Sequence, residues 1–155
     1  MKICVFSDSH GNSTDMLNAI ALEAPDMIIH LGDGRSCVEK IKSQFPDITL
    51  KAVRGNCDFT SNYPDSEILN INGLNIFITH GHLYGVKHGM TELCNAAHFS
   101  GAALALYGHT HIASQRSLGP IDTLNPGSVG SGSKRSYAVL FIEASGDYNC
   151  SFVSL

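Results

Sequence analysis

The chain has no tryptophan and little charge, and no stretch of it is long and apolar enough to span a bilayer. Charged residues fill 15% of its 155 positions, and the net charge is -4 with histidines neutral. It therefore lacks the basic excess that broad nucleic-acid binding requires. The five cysteines (Cys4, Cys37, Cys57, Cys94 and Cys150) contain no Cys-x-x-Cys pair, which removes zinc-ribbon and disulfide-framework readings. Repeats, low-complexity tracts and linkers are absent too. The first apolar run, Ile3 to Phe6, turns polar at once and is too short for a signal h-region. These absences point to a cytoplasmic protein without membrane association, its cysteines mostly small buried hydrophobes.

What the chain does have is apolar patterning. Hydrophobic residues make up 43% of it, enough for one core, and residues 1–155 are expected to form one domain. Strand and helix alternate in the first half. Ile3 to Phe6 reads as a strand. A helix carrying Met16, Leu17, Ile20 and Leu22 follows, capped by Asn12 or Ser13 and stopped by Pro25. Met27 to Leu31 reads as a second strand, and Ser36 with Glu39 as a capping box for a helix that Pro46 ends. Ile48 to Val53 is a third strand. Asn72-Gly73 between Ile68–Ile71 and Leu74–Ile78 predicts a two-residue hairpin. A helix over Met90 to Phe99, a strand over Ala102 to Tyr107, short strands and a final hairpin (Tyr137 to Glu143, Tyr148 to Val153) complete the reading. The pattern suggests an α/β protein of two packed mixed sheets with helices outside.

Five predicted strands end in residues of metal-ligand type. They are Asp8 and His10, Asp33, Asn56, His80, and His109 with His111. Ligands gather outside the carboxyl ends of strands in α/β sheets, so these distant residues converge if those ends share a rim. Each fragment alone is weak; the ordered set at strand ends is the signal. In Gly108-His109-Thr110-His111 the two imidazoles, two apart on an extended segment, are expected to face one side. A carboxylate shared between two cations is the usual core of a two-metal site, and Asp33, alone in a glycine-flanked loop, is the candidate. One metal would take Asp8, His10, Asp33 and His111, and the other Asp33, Asn56, His80 and His109. These nitrogen and oxygen donors suit manganese first, with nickel, iron or zinc next and magnesium as a more oxygen-seeking alternative. Two divalent ions against two aspartates and a hydroxide leave a slightly positive site for an anionic phosphate ester. A bridging hydroxide would attack phosphorus in line. Helix N-termini after the first two strands would add a favourable dipole.

At these residues the chain resembles the calcineurin-like metallophosphoesterases, which carry D-x-H, G-D, G-N, H and G-H-x-H blocks in this order. The blocks here are Asp8-Ser9-His10, Gly32-Asp33, Gly55-Asn56, His80 and Gly108-His109-Thr110-His111. Gly55-Asn56-Cys57-Asp58, Thr79-His80-Gly81-His82 and Asn125-Pro126-Gly127-Ser128 narrow the likeness to the small YfcE-like phosphodiesterases. The resemblance implies a four-layer αββα sandwich, the metal split given above, a small phosphate-ester substrate, and scope for a homo-oligomer. Many family members have a catalytic histidine where this chain has Cys57, whose neutral thiol offers no imidazolium charge. Diesters with acidic leaving groups are therefore expected to be better substrates than alkyl monoesters. His82 is a candidate for substrate contact, and a solvated loop residue is its ordinary alternative. His30 reads as a hydrogen-bonded core histidine, His88 and His98 as surface residues, and Lys134-Arg135 as a solvated turn. Arg54 would pair with Asp58 or reach a phosphate. Specificity would come from the loops 59–65 and 83–89. The competing functions are a phosphomonoesterase, a nuclease, and a non-catalytic scaffold like the retromer subunit that shares this fold.

Overall fold

The computed structural model describes residues 1–132 and 134–155. Along the chain run β1 (Lys2–Phe6), α1 (Thr14–Glu23), β2 (Met27–His30), α2 (Arg35–Gln44), β3 (Thr49–Ala52), β4 (Ser66–Ile71) and β5 (Leu74–Thr79). A 3-10 turn (His82–Tyr84), α3 (Thr91–Phe99), β6 (Leu104–Leu106), β7 (Ser114–Leu118), β8 (Ile121–Asn125), β9 (Ser136–Ile142) and β10 (Tyr148–Ser154) follow. They form two five-stranded sheets, in the orders β10-β9-β1-β2-β3 and β4-β5-β6-β8-β7.

The layers follow from where the apolar side chains go. Ile3, Val5, Ile29 and Leu31 from one sheet meet Ile76, Ile78, Leu104 and Leu106 from the other, and all are buried. The opposite face of the first sheet, with Cys4, Phe6 and Ile28, packs on Met16 and Ile20 of α1 and Cys37 and Ile41 of α2. Phe77 and Ala105 on the outer face of the second sheet pack on Leu93 and Ala97 of α3. Two sheets packed face to face, with helices on their outer faces, thus give an αββα sandwich.

Parallel pairing sets the site. β1, β2 and β3 run parallel, as do β5, β6 and β8. The carboxyl ends of each trio therefore lie on one rim. The Asn72-Gly73 hairpin forms as expected, with φ of 52° and 86° at its two central residues. Both values suit the primed turn that matches strand twist.

The expected helix caps are corrected. Ser13 stands at the start of α1, but its hydroxyl accepts from Lys40 Nζ at 2.8 Å and caps nothing. Ser36 and Glu39 lie inside α2, which begins at Arg35. The amides there are held instead by the buried Asp58 carboxylate, which accepts from Asp33 (2.7 Å), Gly34 (3.1 Å) and Arg35 (3.0 Å). It also accepts from Gly55 N–H at 2.9 Å, tying the β2 loop to the β3 loop. A partner 23 residues away in the chain leaves no local capping pattern to read. The Asp33, Gly34 and Arg35 amides are therefore not free to receive a phosphate. Arg54 does not pair with Asp58; it grips Asp65 at 2.5 and 3.1 Å. Arg135 likewise is not simply solvated, since it meets Asp15 at 2.5 Å.

Asp58→Ala strands four N–H donors around a buried pocket, and is expected to cost about 3–5 kcal/mol of stability. Asp58→Asn, which keeps one carbonyl acceptor, should cost clearly less. Urea unfolding of the two variants measures the difference; equal, small losses would mean that the cap is not what fixes the two loops.

Candidate metal centre

Strand ends deliver the ligand-type side chains, and unusual backbone aims them. Among the described residues seven non-glycine positions have positive φ. Five of them are Asp8 (54°), His10 (43°), Asp33 (55°), His109 (66°) and His111 (60°). The left-handed region costs an L-residue about 1–2 kcal/mol, less for Asn and Asp, so it persists only where surroundings impose it. Here it turns the chain sharply after β1, β2 and β6. This corrects the reading of the His109-Thr110-His111 segment as extended. It is a bend, with Thr110 N–H donating to Gly108 C=O at 2.8 Å. The two imidazoles consequently serve different neighbours: His109 lies 5.1 Å from His80, and His111 5.3 Å from His10, between ring centroids.

Asp8 is the centre of the group and is fully buried. Its Oδ2 accepts from the Ser7 hydroxyl (2.5 Å) and from the His109 backbone N–H (3.0 Å). Its Oδ1 has no hydrogen-bond donor assigned to it. Three imidazoles surround that bare oxygen, with Nε2 atoms at 3.0 Å (His111), 3.8 Å (His80) and 3.9 Å (His10). Asp33 groups with His10 on one side and with Asp8 and His80 on the other. Its Oδ2 is 3.5 Å from His80 Nε2, while its Oδ1 accepts the Cys57 N–H at 2.7 Å. Asn56 Oδ1 lies 3.2 Å from His80 Nε2. All seven ligand candidates thus sit at one rim, spread over both sheets.

Hydrogen bonds behind the imidazoles orient them. His80 Nδ1–H donates to Leu31 C=O at 2.7 Å, across the two sheets, which leaves Nε2 to face the site and to offer a lone pair once His80 is neutral. His111 Nδ1 lies 3.1 Å from Ser131 Oγ. Asn125 donates to Gly108 C=O (2.9 Å) and Thr110 Oγ1 (3.0 Å) and so holds the bend. Ser128 donates to Asp8 C=O at 2.9 Å, so the 125–128 segment does support the site. His30 is a buried core histidine as expected: its Nδ1 accepts from Gly32 N–H (3.2 Å), leaving Nε2–H for Ser9 Oγ (3.1 Å). Burial pushes its pKa down to about 4. Close approach also needs absent side chains. A Cβ on Gly55 would collide with the Asp33 carboxylate, and one on Gly108 with Ser7 and, at 2.9 Å, Asp8 Oδ2.

The charges respond to this crowding. Burial and then His80 lower the His82 pKa, and burial, His80 and Lys87 push His109 down to about 4, so both are neutral near pH 7. Burial also opposes a charge on His80, but the Asp33 hydrogen bond and the Asp8 and Asp33 charges outweigh it and hold its pKa above the ordinary value. His82 stands 5.3 Å from His80 between ring centroids, and its buried Nδ1 has no hydrogen-bond partner among the described residues. Cys57 is exposed, its thiol grouped with His10 and Asp33. Burial and Asp33 push its pKa up, keeping it neutral.

A buried carboxylate oxygen with no hydrogen-bond donor among the described residues, ringed by imidazole nitrogens, is costly unless a cation completes it. The residues therefore fit divalent metal. The chain's sequence says whose arrangement this is: residues 1–145 match the profile of the calcineurin-like phosphoesterase superfamily domain. The chain belongs to the calcineurin-like phosphoesterase superfamily. Among its relatives, the probable metallophosphoesterase YsnB of Bacillus subtilis is 35% identical over 150 residues, covering 92% of this chain and 85% of the relative. The phosphodiesterase YfcE of Escherichia coli is 29% identical over 168 residues, covering 90% and 87%. The calcineurin-like fold recurs in Vps29 of Entamoeba histolytica, solved in complex with Zn2+, with a TM-score of 0.78 over 99% of both chains at 19% identity. No helix among the described residues is long and apolar enough to cross a membrane.

Sequence reading missed Ser7, Asp58 and Ser131. Asp58 was visible in the Gly55–Asp58 block, but its work there was not; the two serines carried no signal. The raised His80 pKa gives a direct test of metal fit. A cation needs the Nε2 lone pair, so binding at pH 6.5 expels the proton that metal-free His80 holds there. Calorimetry with manganese in buffers of different ionisation heat should show more proton release at pH 6.5 than at higher pH. Release that does not change with pH would mean that His80 is not displaced by metal.

Proposed function

We propose that the chain is a phosphodiesterase that holds two divalent cations, manganese first among them, at this rim. The observation that carries the reading is the bare Asp8 Oδ1 between His10, His80 and His111. Asp8, His10, Asp33 and His111 would hold one ion, and Asp33, Asn56, His80 and His109 the other. When bound, such ions supply Lewis acidity, which yields a nucleophile from water near neutral pH and neutralises charge on phosphoryl oxygens.

The side chains set the rest. Asn56 offers an oxygen without adding negative charge, which keeps the site receptive to an anionic ester. Hydrolysis adds water across one P–O bond, and the departing oxygen must gain a proton. His82, lowered in pKa and standing beside His80, would bind or protonate that oxygen. Cys57 flanks the site as an uncharged thiol and cannot offer a second cation to a doubly charged monoester. That asymmetry favours diesters, and the name of the relative YfcE supports the same choice. A non-catalytic scaffold would sit better with a blocked rim, whereas here a cleft of about 460 Å3 opens beside His10, Asp33 and Cys57.

Metal-stripped protein should hydrolyse an aryl phosphodiester only when manganese, nickel, magnesium or zinc is returned. Asp33→Ala and His109→Ala should each lower kcat/KM by at least about 100-fold. Cys57→His should raise turnover of an alkyl phosphomonoester by about tenfold or more. No turnover with any metal despite stoichiometric binding would leave a structural metal site instead. An unchanged monoesterase rate in Cys57→His would remove the thiol from the account of specificity.

A further inference from the structure

The cleft beside the centre has an outer wall that the chemistry so far does not use. His10, Asp33 and Cys57 line it beside the candidate centre, and Arg35, Phe59 and Thr60 line it as well. Phe59 is 88% exposed. A single exposed ring is ordinary on a protein surface. This one lines a hollow that opens directly on the candidate metal ligands, and the hollow's volume suits a small ligand.

Arg35 sets the polarity. Its guanidinium donates to Thr60 Oγ1, a brace between two residues that line the cleft. Among the described residues it has no carboxylate within salt-bridge distance, whereas Arg54 and Arg135 are paired with Asp65 and Asp15. Beyond it, Arg35 and Thr60 also line a smaller hollow of about 220 Å3 with Lys42 and Tyr63. There the Lys42 ammonium lies 4.9 Å from the Tyr63 ring centroid. The two hollows together thus carry two rings, Phe59 and Tyr63, and two cations, Arg35 and Lys42, of which Lys42 also meets Glu39 at 3.7 Å. Rings accept the flat faces of bases, and cations attract phosphate.

We propose that this cleft is a base-binding subsite: the substrate is a phosphodiester with a nucleoside arm, its base stacked on Phe59. The proposal rests on the phosphodiesterase reading for the position of the phosphorus. Its test does not depend on turnover.

The manganese-loaded protein is titrated by calorimetry with adenosine 5′-monophosphate and, separately, with inorganic phosphate. Stacking on one ring is expected to make the nucleotide bind about tenfold more tightly than phosphate. Phe59→Ala should erase that preference without changing phosphate affinity, and Phe59→Tyr should keep it. Equal affinities in the unaltered protein would overturn the subsite. So would a Phe59→Ala variant that loses both ligands alike, because the damage would then be general. A nucleotide preference that depends on Phe59, in a protein that hydrolyses no diester, would sustain the subsite and sink the phosphodiesterase reading. Diester turnover with no nucleotide preference would do the reverse.

Discussion

One buried carboxylate governs this molecule. Asp8 has one oxygen held by Ser7 and by the His109 backbone, and the other faces three imidazoles without a donor. An uncompensated charge in that position is worth several kcal/mol of destabilisation, so the fold cannot bury Asp8 for packing alone. The same residue joins the two sheets, since its neighbours arrive from the ends of β1, β5 and β6. A cation at Oδ1 would satisfy the carboxylate and link both halves of the rim.

The cost of assembling that rim is spread through the surrounding loops. Five candidate ligands adopt left-handed backbone, and glycines at 55 and 108 leave room for the carboxylates. Asp58 locks the β2 and β3 loops with four amide bonds, and Asn125 and Ser128 lock the segments that carry His109 and Asp8. Shared bonds between loops from different strands fix the ligands in place before any ion arrives, which is how a binding site limits reorganisation. The Asp58 lock also occupies the amides that lead into α2, so attraction for phosphate comes from the ions and from side chains such as Arg35 more than from those amides.

Much of this was legible in the sequence because it repeats at short range. Apolar runs gave the strands of the inner core, Asn72-Gly73 gave its hairpin, and ligand-type residues at strand ends gave the rim. The two packed sheets with outer helices, read from strand-helix alternation and from resemblance, are the αββα layers found. What failed were contacts set by distant residues. Ser36 and Glu39 looked like a cap because their spacing is right, but a carboxylate from the next loop took the amides first. Arg54 had two acidic neighbours in sequence, and the fold gave it Asp65. The His109–His111 segment looked extended because alternation is the default reading of two residues two apart. Only the closure of the β6 loop over Asp8 makes it bend. Ser131, which orients His111, sits 20 residues from it in a stretch that reads as a polar loop.

Crystals of the protein soaked in manganese, with data collected for anomalous scattering, test the central claim most directly. The account predicts two peaks about 3.5–4 Å apart. One should lie among Asp8, His10 and His111 and the other against Asn56, His80 and His109, with Asp33 between them. A single peak, or manganese bound away from Asp8 Oδ1, would contradict it.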